Sequence, residues 1–204
     1  MMHLYSHADS PYSQRVVFLL EELGLPYQRK TISFEHGEQN SSEFQSLTPF
    51  SRVPVLVWGK VKLSESLTIS RYIAQALEAF HIYPQDLVER AKIDQWIDYT
   101  NIHLGISLTN LAWHRYWCPK YKLPTDKDYA AKLERRVLKE LPILEKQLQQ
   151  HAYLASNHLS LCDISFFPQI WVYKKAGLCL KEFPHICSWV ETMKRKDAWI
   201  KTIS

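Results

Sequence analysis

The hydropathy period of this chain changes once, near residue 80, and that change limits it to a small set of folds. Before it, short apolar runs alternate with helical patterns. After it, long segments carry apolar residues every three or four positions, the helical period. Met2-His3-Leu4-Tyr5 reads as a strand, and residues 12–23 as a helix with Val16, Val17, Leu19, Leu20 and Leu23 apolar. Gly24 and Pro26 supply its stop signal. Residues 27–32 read as a second strand, completing a β-α-β unit. Val55-Leu56-Val57-Trp58 and Val61-Lys62-Leu63 flank Gly59-Lys60, a two-residue hairpin link. Residues 66–79 close this half as an amphipathic helix.

Beyond Tyr83-Pro84 the pattern is helical only. Residues 91–117 carry Ile93, Trp96, Ile97, Ile102, Leu104, Leu108 and Leu111, and a second helix runs from about residue 123 to 150. Pro142 is expected to kink or split that second helix. Residues 159–176 and 183–195 give two shorter helices. The expected architecture is an α/β domain over residues 1–79, with a mixed sheet and helices on its faces, followed by an all-α domain over residues 85–204.

The 204 residues are 46% hydrophobic and 23% charged, which excludes disordered, collagen-like and coiled-coil classes. The net charge of +4 comes from interspersed signs and leaves no footprint for nucleic acid. Lys194-Arg195-Lys196 follows a helical segment and reads as a solvated helix end. No apolar run reaches the ~18 residues of a membrane span. Met1-Met2-His3 opens no signal peptide, so a cytoplasmic protein is expected. Cys118, Cys162, Cys179 and Cys187 form no CxxC pair, which argues against a disulfide framework or a zinc site. His114 and Cys118 sit four apart on a helix, but no second pair completes a site, and no metal is expected.

Three short motifs carry candidate chemistry. Ser10 precedes Pro11 at the opening of the first helix, where it serves as an N-cap or, with the positive helix end, stabilises an anion. Val53-Pro54 places a proline at the start of a strand, and X-Pro bonds are where cis peptides occur. Glu65-Ser66 follows eleven residues after Pro54. A helix start that binds a carboxylate, beside an acid that pairs with an ammonium, is a receptor for an amino-acid α-carbon. Later, Ser160-Leu161-Cys162-Asp163 has capping-box spacing and reads as a structural helix start.

Taken together, the β-α-β-β-β-α order, Val53-Pro54, Glu65-Ser66 and Ser160-x-x-Asp163 resemble the cytosolic glutathione S-transferases of the serine type. The resemblance spans nearly the whole chain. It implies a thioredoxin-like N-terminal domain, an α-helical C-terminal domain, glutathione as co-substrate and a homodimer. It also implies that Ser10, five residues ahead of Arg15 in a Ser-x-x-x-x-Arg-Val pattern, acts on the glutathione thiol. Val53 would pair its backbone with the cysteinyl part, and Pro54 would be the cis-proline that exposes it. Glu65 and Ser66 would hold the γ-glutamyl ammonium and carboxylate, and Arg52, Gln39 and Asn40 match the remaining glutathione-binding positions. The sequence departs from the family at Asn40, where lysine is common, and at Ser51, where glycine is common.

Tyr5, Tyr12 and Ser13 are alternative thiol activators. The resemblance sets an electrophile pocket between the domains, lined by Tyr12, Trp113, Tyr116 and Trp117; these aromatics read equally as helical core. The expected activity is transfer of the glutathione thiol to small hydrophobic electrophiles, or their reduction, in detoxification. The other reading is a transferase fold that binds without turnover.

Overall fold

The computed structural model describes residues 1–204 and divides them into two compact units: 1–83 together with 196–204, and 84–195. The first unit is built on four strands. They are β1 (Met2–Ser6), β2 (Tyr27–Thr31), β3 (Val55–Trp58) and β4 (Val61–Ser64), in the order β2-β1-β3-β4. β1 and β2 run parallel, with Ser6 opposite Thr31, whereas β3 is antiparallel to both β1 and β4. Gly59, at φ 60°, takes the first central position of the β3–β4 turn, which favours a residue without Cβ.

Helix α1 (Pro11–Glu22) joins β1 to β2, and the short α2 (Ser42–Gln45) lies between β2 and β3. Helix α3 (Ser66–Ala76) follows β4. Val16 to Leu20 of α1, Ile69 and Ile73 of α3, and Leu4 and Leu56 of the sheet form the dry centre of this unit. A second cluster of Ile32, Phe44 and Val55 packs with Tyr5, Leu47 and Val53. The fold is therefore the thioredoxin-like α/β domain expected, its helix ends falling within a few residues of the predicted ones.

The second unit is helical throughout. It contains α4 (Leu87–Tyr99), α5 (Ile106–Ala112), α6 (Cys118–Lys120), α7 (Lys127–Gln150), α8 (Leu161–Ile170) and α9 (Pro184–Lys194). Two π-helical segments, Thr100–Gly105 and Trp113–Trp117, interrupt the run from 87 to 120 without ending it. Of the two outcomes expected at Pro142, a split does not occur: α7 runs through it. Both Pro142 and Leu138, whose carbonyl loses its amide partner at a proline four residues on, are exposed, so water can satisfy the freed oxygen.

The far boundary also differs from the expected 85–204 domain. Residues 196–204 belong to the first unit, where α10 (Asp197–Ile203) packs on α1. Trp199 meets Phe18 edge-on at 5.5 Å, and Lys196 Nζ bonds Glu22 at 2.8 Å. Lys194-Arg195-Lys196 is thus a junction between two helices and not a solvated end alone. No helix is long and apolar enough to cross a membrane.

Candidate functional site

Sheet register sets the site. Tyr5 of β1 and Ser64 of β4 both lie opposite Val55, the first residue of β3, and Ser6 lies opposite Thr31 at the end of β2. One end of the sheet therefore emits the Ser10 loop, the loop carrying Gln39 and Asn40, the Val53-Pro54 entry and the Glu65-Ser66 junction. Four motifs scattered over some sixty residues are gathered by strand direction alone.

Ser10 is the N-cap of α1, and its Oγ accepts the Ser13 amide at 3.3 Å. A serine hydroxyl has one proton and two lone pairs, so this cap leaves the proton to donate. The competing hydroxyls are differently engaged. Ser13 is buried and its Oγ accepts the His7 amide at 3.2 Å. Tyr5 packs on Phe44, and its hydroxyl oxygen accepts from Lys30 Nζ at 3.3 Å. Tyr12 is half-buried, with the Arg15 guanidinium 5.7 Å from its ring centre.

Val53–Pro54 is a cis peptide bond. Ser51, two residues earlier, sits at φ 49°, a left-handed conformation natural to glycine, so serine here adopts the backbone that the family's glycine would take. Glu65 is likewise left-handed, at φ 67°, and its carboxylate makes no capping bond to α3. The first amides of α3 thus receive no cap from Glu65 and carry the positive end of the helix dipole.

Arg15 is a member of this group whose environment the sequence did not disclose. It is 1% exposed, and Nη1 donates to Ser66 Oγ at 3.0 Å. Burial pulls its pKa down to about 10, with Tyr12 and Glu65 opposing and Arg71 adding to the fall, so it remains cationic at neutral pH. In the sequence it shows only as the Arg of the Ser-x-x-x-x-Arg-Val pattern, a charge directly ahead of the apolar run Val16 to Leu20.

Gln39 and Asn40 lie on the 3-10 turn Glu38–Asn40, where Gln39 Oε1 is buried without a hydrogen-bond partner. Arg52 is exposed beside the cis peptide.

Residues 1–75 match the glutathione S-transferase N-terminal domain, and residues 104–197 match the glutathione S-transferase C-terminal domain. The chain belongs to the glutathione S-transferase family. Its relatives include glutathione S-transferase F14 of Arabidopsis thaliana, 31% identical over 92% of this chain and 77% of that protein. Glutathione S-transferase F10 of the same plant is 28% identical, over 92% of this chain and 89% of that protein. Glutathione S-transferase theta-1 of Mus musculus is 27% identical, over 95% and 82%. Among solved structures, glutathione S-transferase-I bound with the ligand lactoylglutathione superposes with a TM-score of 0.90, at 26% identity over 99% of this chain and 98% of that one.

The aromatic cluster of the transferase's second unit is split by burial. Trp113 and Tyr116 are 43% and 39% exposed, while Trp117 is 4% exposed and its indole nitrogen has no partner. Lys175 Nζ lies 4.9 Å from the Tyr116 ring centre and 5.0 Å from that of Trp117. His114, considered with Cys118 as a metal pair, accepts the Asp126 amide on Nδ1 at 3.2 Å, and Cys118 is buried. The Ser160–Asp163 capping box forms. Asp163 also accepts from Leu154 N at 2.8 Å and Trp189 Nε1 at 3.1 Å. Burial raises its pKa, while these bonds favour the carboxylate.

Proposed function

We propose that this transferase activates glutathione through Ser10. The observation that carries the reading is the convergence of Ser10, the Val53-Pro54 cis peptide and the uncapped start of α3 at one end of the sheet. The γ-glutamyl carboxylate lies on the Ser66 end of α3 and the ammonium on Glu65. The cysteinyl backbone pairs with Val53, which Pro54 presents. Arg52, Gln39 and Asn40 hold the glycyl carboxylate through their N–H groups.

A thiol of pKa ~8.5 is about 3% thiolate at pH 7. A donated hydrogen bond from Ser10 and the α1 end, lowering it to roughly 6.5, makes about three quarters of the bound thiol anionic. Ser10 is a donor here, since a serine hydroxyl is far too weak an acid to serve as the base. The sulfur attacks an electrophilic carbon, a carbon–sulfur bond forms, and the leaving group departs with the electron pair. With a peroxide the same sulfur attacks oxygen, the O–O bond breaks, the alkoxide leaves and takes up a proton, and a second glutathione condenses with the resulting sulfenic acid to give glutathione disulfide and water. In the second unit Trp113 and Tyr116 offer exposed rings to a hydrophobic electrophile, and Trp117 is buried. The protein works in cytoplasmic detoxification as a homodimer.

The test is steady-state conjugation of glutathione to a chromogenic aryl halide. Ser10→Ala lowers kcat by about 10²-fold or more with little change in the KM for glutathione. An unchanged kcat overturns the assignment.

A further inference from the structure

Two cysteines outside the glutathione site lie in one turn: Cys187 Sγ donates to the carbonyl of the residue that follows Cys179. Cys179 is exposed, Cys187 is half-buried, and both are free thiols. Leu180, next to Cys179, accepts the Phe183 amide at 2.9 Å, closing a turn, and the same oxygen accepts from Cys187 Sγ at 3.1 Å. The Cys187 amide donates to Phe183 O at 2.9 Å in the first turn of α9. The chain therefore folds back so that Cys187 Sγ rests against the residue that follows Cys179.

The rest of the neighbourhood suits a cross-link. Glu145 accepts the His185 and Ile186 amides at 3.0 and 2.9 Å, which pins the start of α9 and with it Cys187. Cys179 sits between Leu178, whose amide donates to Tyr173 O at 3.0 Å, and the buried Leu180, on a turn that runs beside Cys187; a disulfide needs a Cα separation of roughly 4.4–6.8 Å. Lys174, Lys175 and Lys181 lie within five residues of Cys179 in the sequence, and their charge attracts an anionic reagent such as oxidised glutathione. Burial, Glu145, Cys179 and Glu191 together push the Cys187 thiol up, in that order of weight, so Cys179 reacts first.

We propose that Cys179 and Cys187 form a dithiol site that exchanges with oxidised glutathione and closes to an intramolecular disulfide. The Cys179 thiolate attacks one sulfur of glutathione disulfide, that S–S bond breaks, and one glutathione leaves as thiolate. Cys187, losing its proton to solvent, attacks the Cys179 sulfur of the mixed disulfide and releases the second glutathione. Two electrons pass from the cysteine pair to one glutathione disulfide, which yields two glutathiones. Cys118 and Cys162 are buried and take no part. The step uses no group of the transferase site.

The experiment incubates the full chain with oxidised glutathione, quenches with acid, counts thiols after denaturation and maps peptides by mass spectrometry. The wild type falls from four thiols to two, with Cys179 joined to Cys187. Cys187→Ser traps one glutathione on Cys179, and Cys179→Ser leaves Cys187 unmodified. Ser10→Ala behaves as wild type, which separates this site from thiol activation. Four retained thiols overturn the proposal, as does a Cys187→Ser chain that takes up no glutathione. A wild type that stops at a stable mixed disulfide overturns it too.

Discussion

Arg15 Nη1 donates to Ser66 Oγ at 3.0 Å from a fully buried position, tying the helix that Ser10 caps to the helix that starts after Glu65. One guanidinium thus fixes the spacing between the sulfur end and the γ-glutamyl end of the proposed ligand. Arg15→Ala leaves a cavity and an unpartnered hydroxyl, and is expected to lower stability by about 3–5 kcal/mol in urea denaturation. Arg15→Lys keeps the charge without the planar fork and recovers only part of that loss. A loss under about 1 kcal/mol for Arg15→Ala contradicts the structural role.

Glu65→Gln keeps size and backbone but removes the charge that meets the ammonium. Glutathione affinity, measured by calorimetry, is expected to fall about 10- to 100-fold with stability nearly unchanged, the worth of one charged hydrogen bond. Equal affinity for both forms removes Glu65 from the site.

Gly105→Ala tests packing against propensity. In a helix the change normally gains about 1 kcal/mol. Here the added Cβ would fall inside the Gln169 side chain, which α8 holds fully buried. A loss of about 1–3 kcal/mol is expected, and a gain in thermal midpoint contradicts the packing described.

Arg115 donates from Nη1 and Nη2 to Glu134 at 2.9 and 2.7 Å, and these bonds hold the Glu134 carboxyl below its ordinary value. A carboxyl whose folded pKa is depressed contributes stability above its unfolded pKa of about 4.3, and that contribution is lost as pH falls through the folded value. Both side chains are 32% exposed, so the pair is worth under about 1 kcal/mol. The stability gap between wild type and Glu134→Gln is expected at pH 7, to shrink as pH falls below about 4.3, and to be lost below the depressed folded value. A gap that widens in acid reverses the sign.

What the sequence disclosed was local. Ser10-Pro11, Gly59-Lys60 and Ser160-x-x-Asp163 each specify a cap or a turn within four residues, and each forms where expected. The fate of residues 197–203 was not legible, because its determinants, Phe18 and Glu22, are some 175 positions away. The π-helical segments preserve a helical hydropathy pattern and so leave no trace in it. Arg15 stood inside the motif that suggested the family, yet its burial depends on Ser66, fifty-one positions on. Pro142 did not divide its helix, and the exposure of Leu138 and Pro142 lets water meet the carbonyl that the proline leaves without an amide.

The most direct test is a pH titration of enzyme-bound glutathione by the ultraviolet absorbance of the thiolate, for wild type and Ser10→Ala. The account predicts a thiol pKa about 2 units below the free value of ~8.5 in the wild type, returning most of the way in Ser10→Ala. Bound glutathione with an unshifted pKa in the wild type, or the same lowered pKa in both proteins, contradicts it.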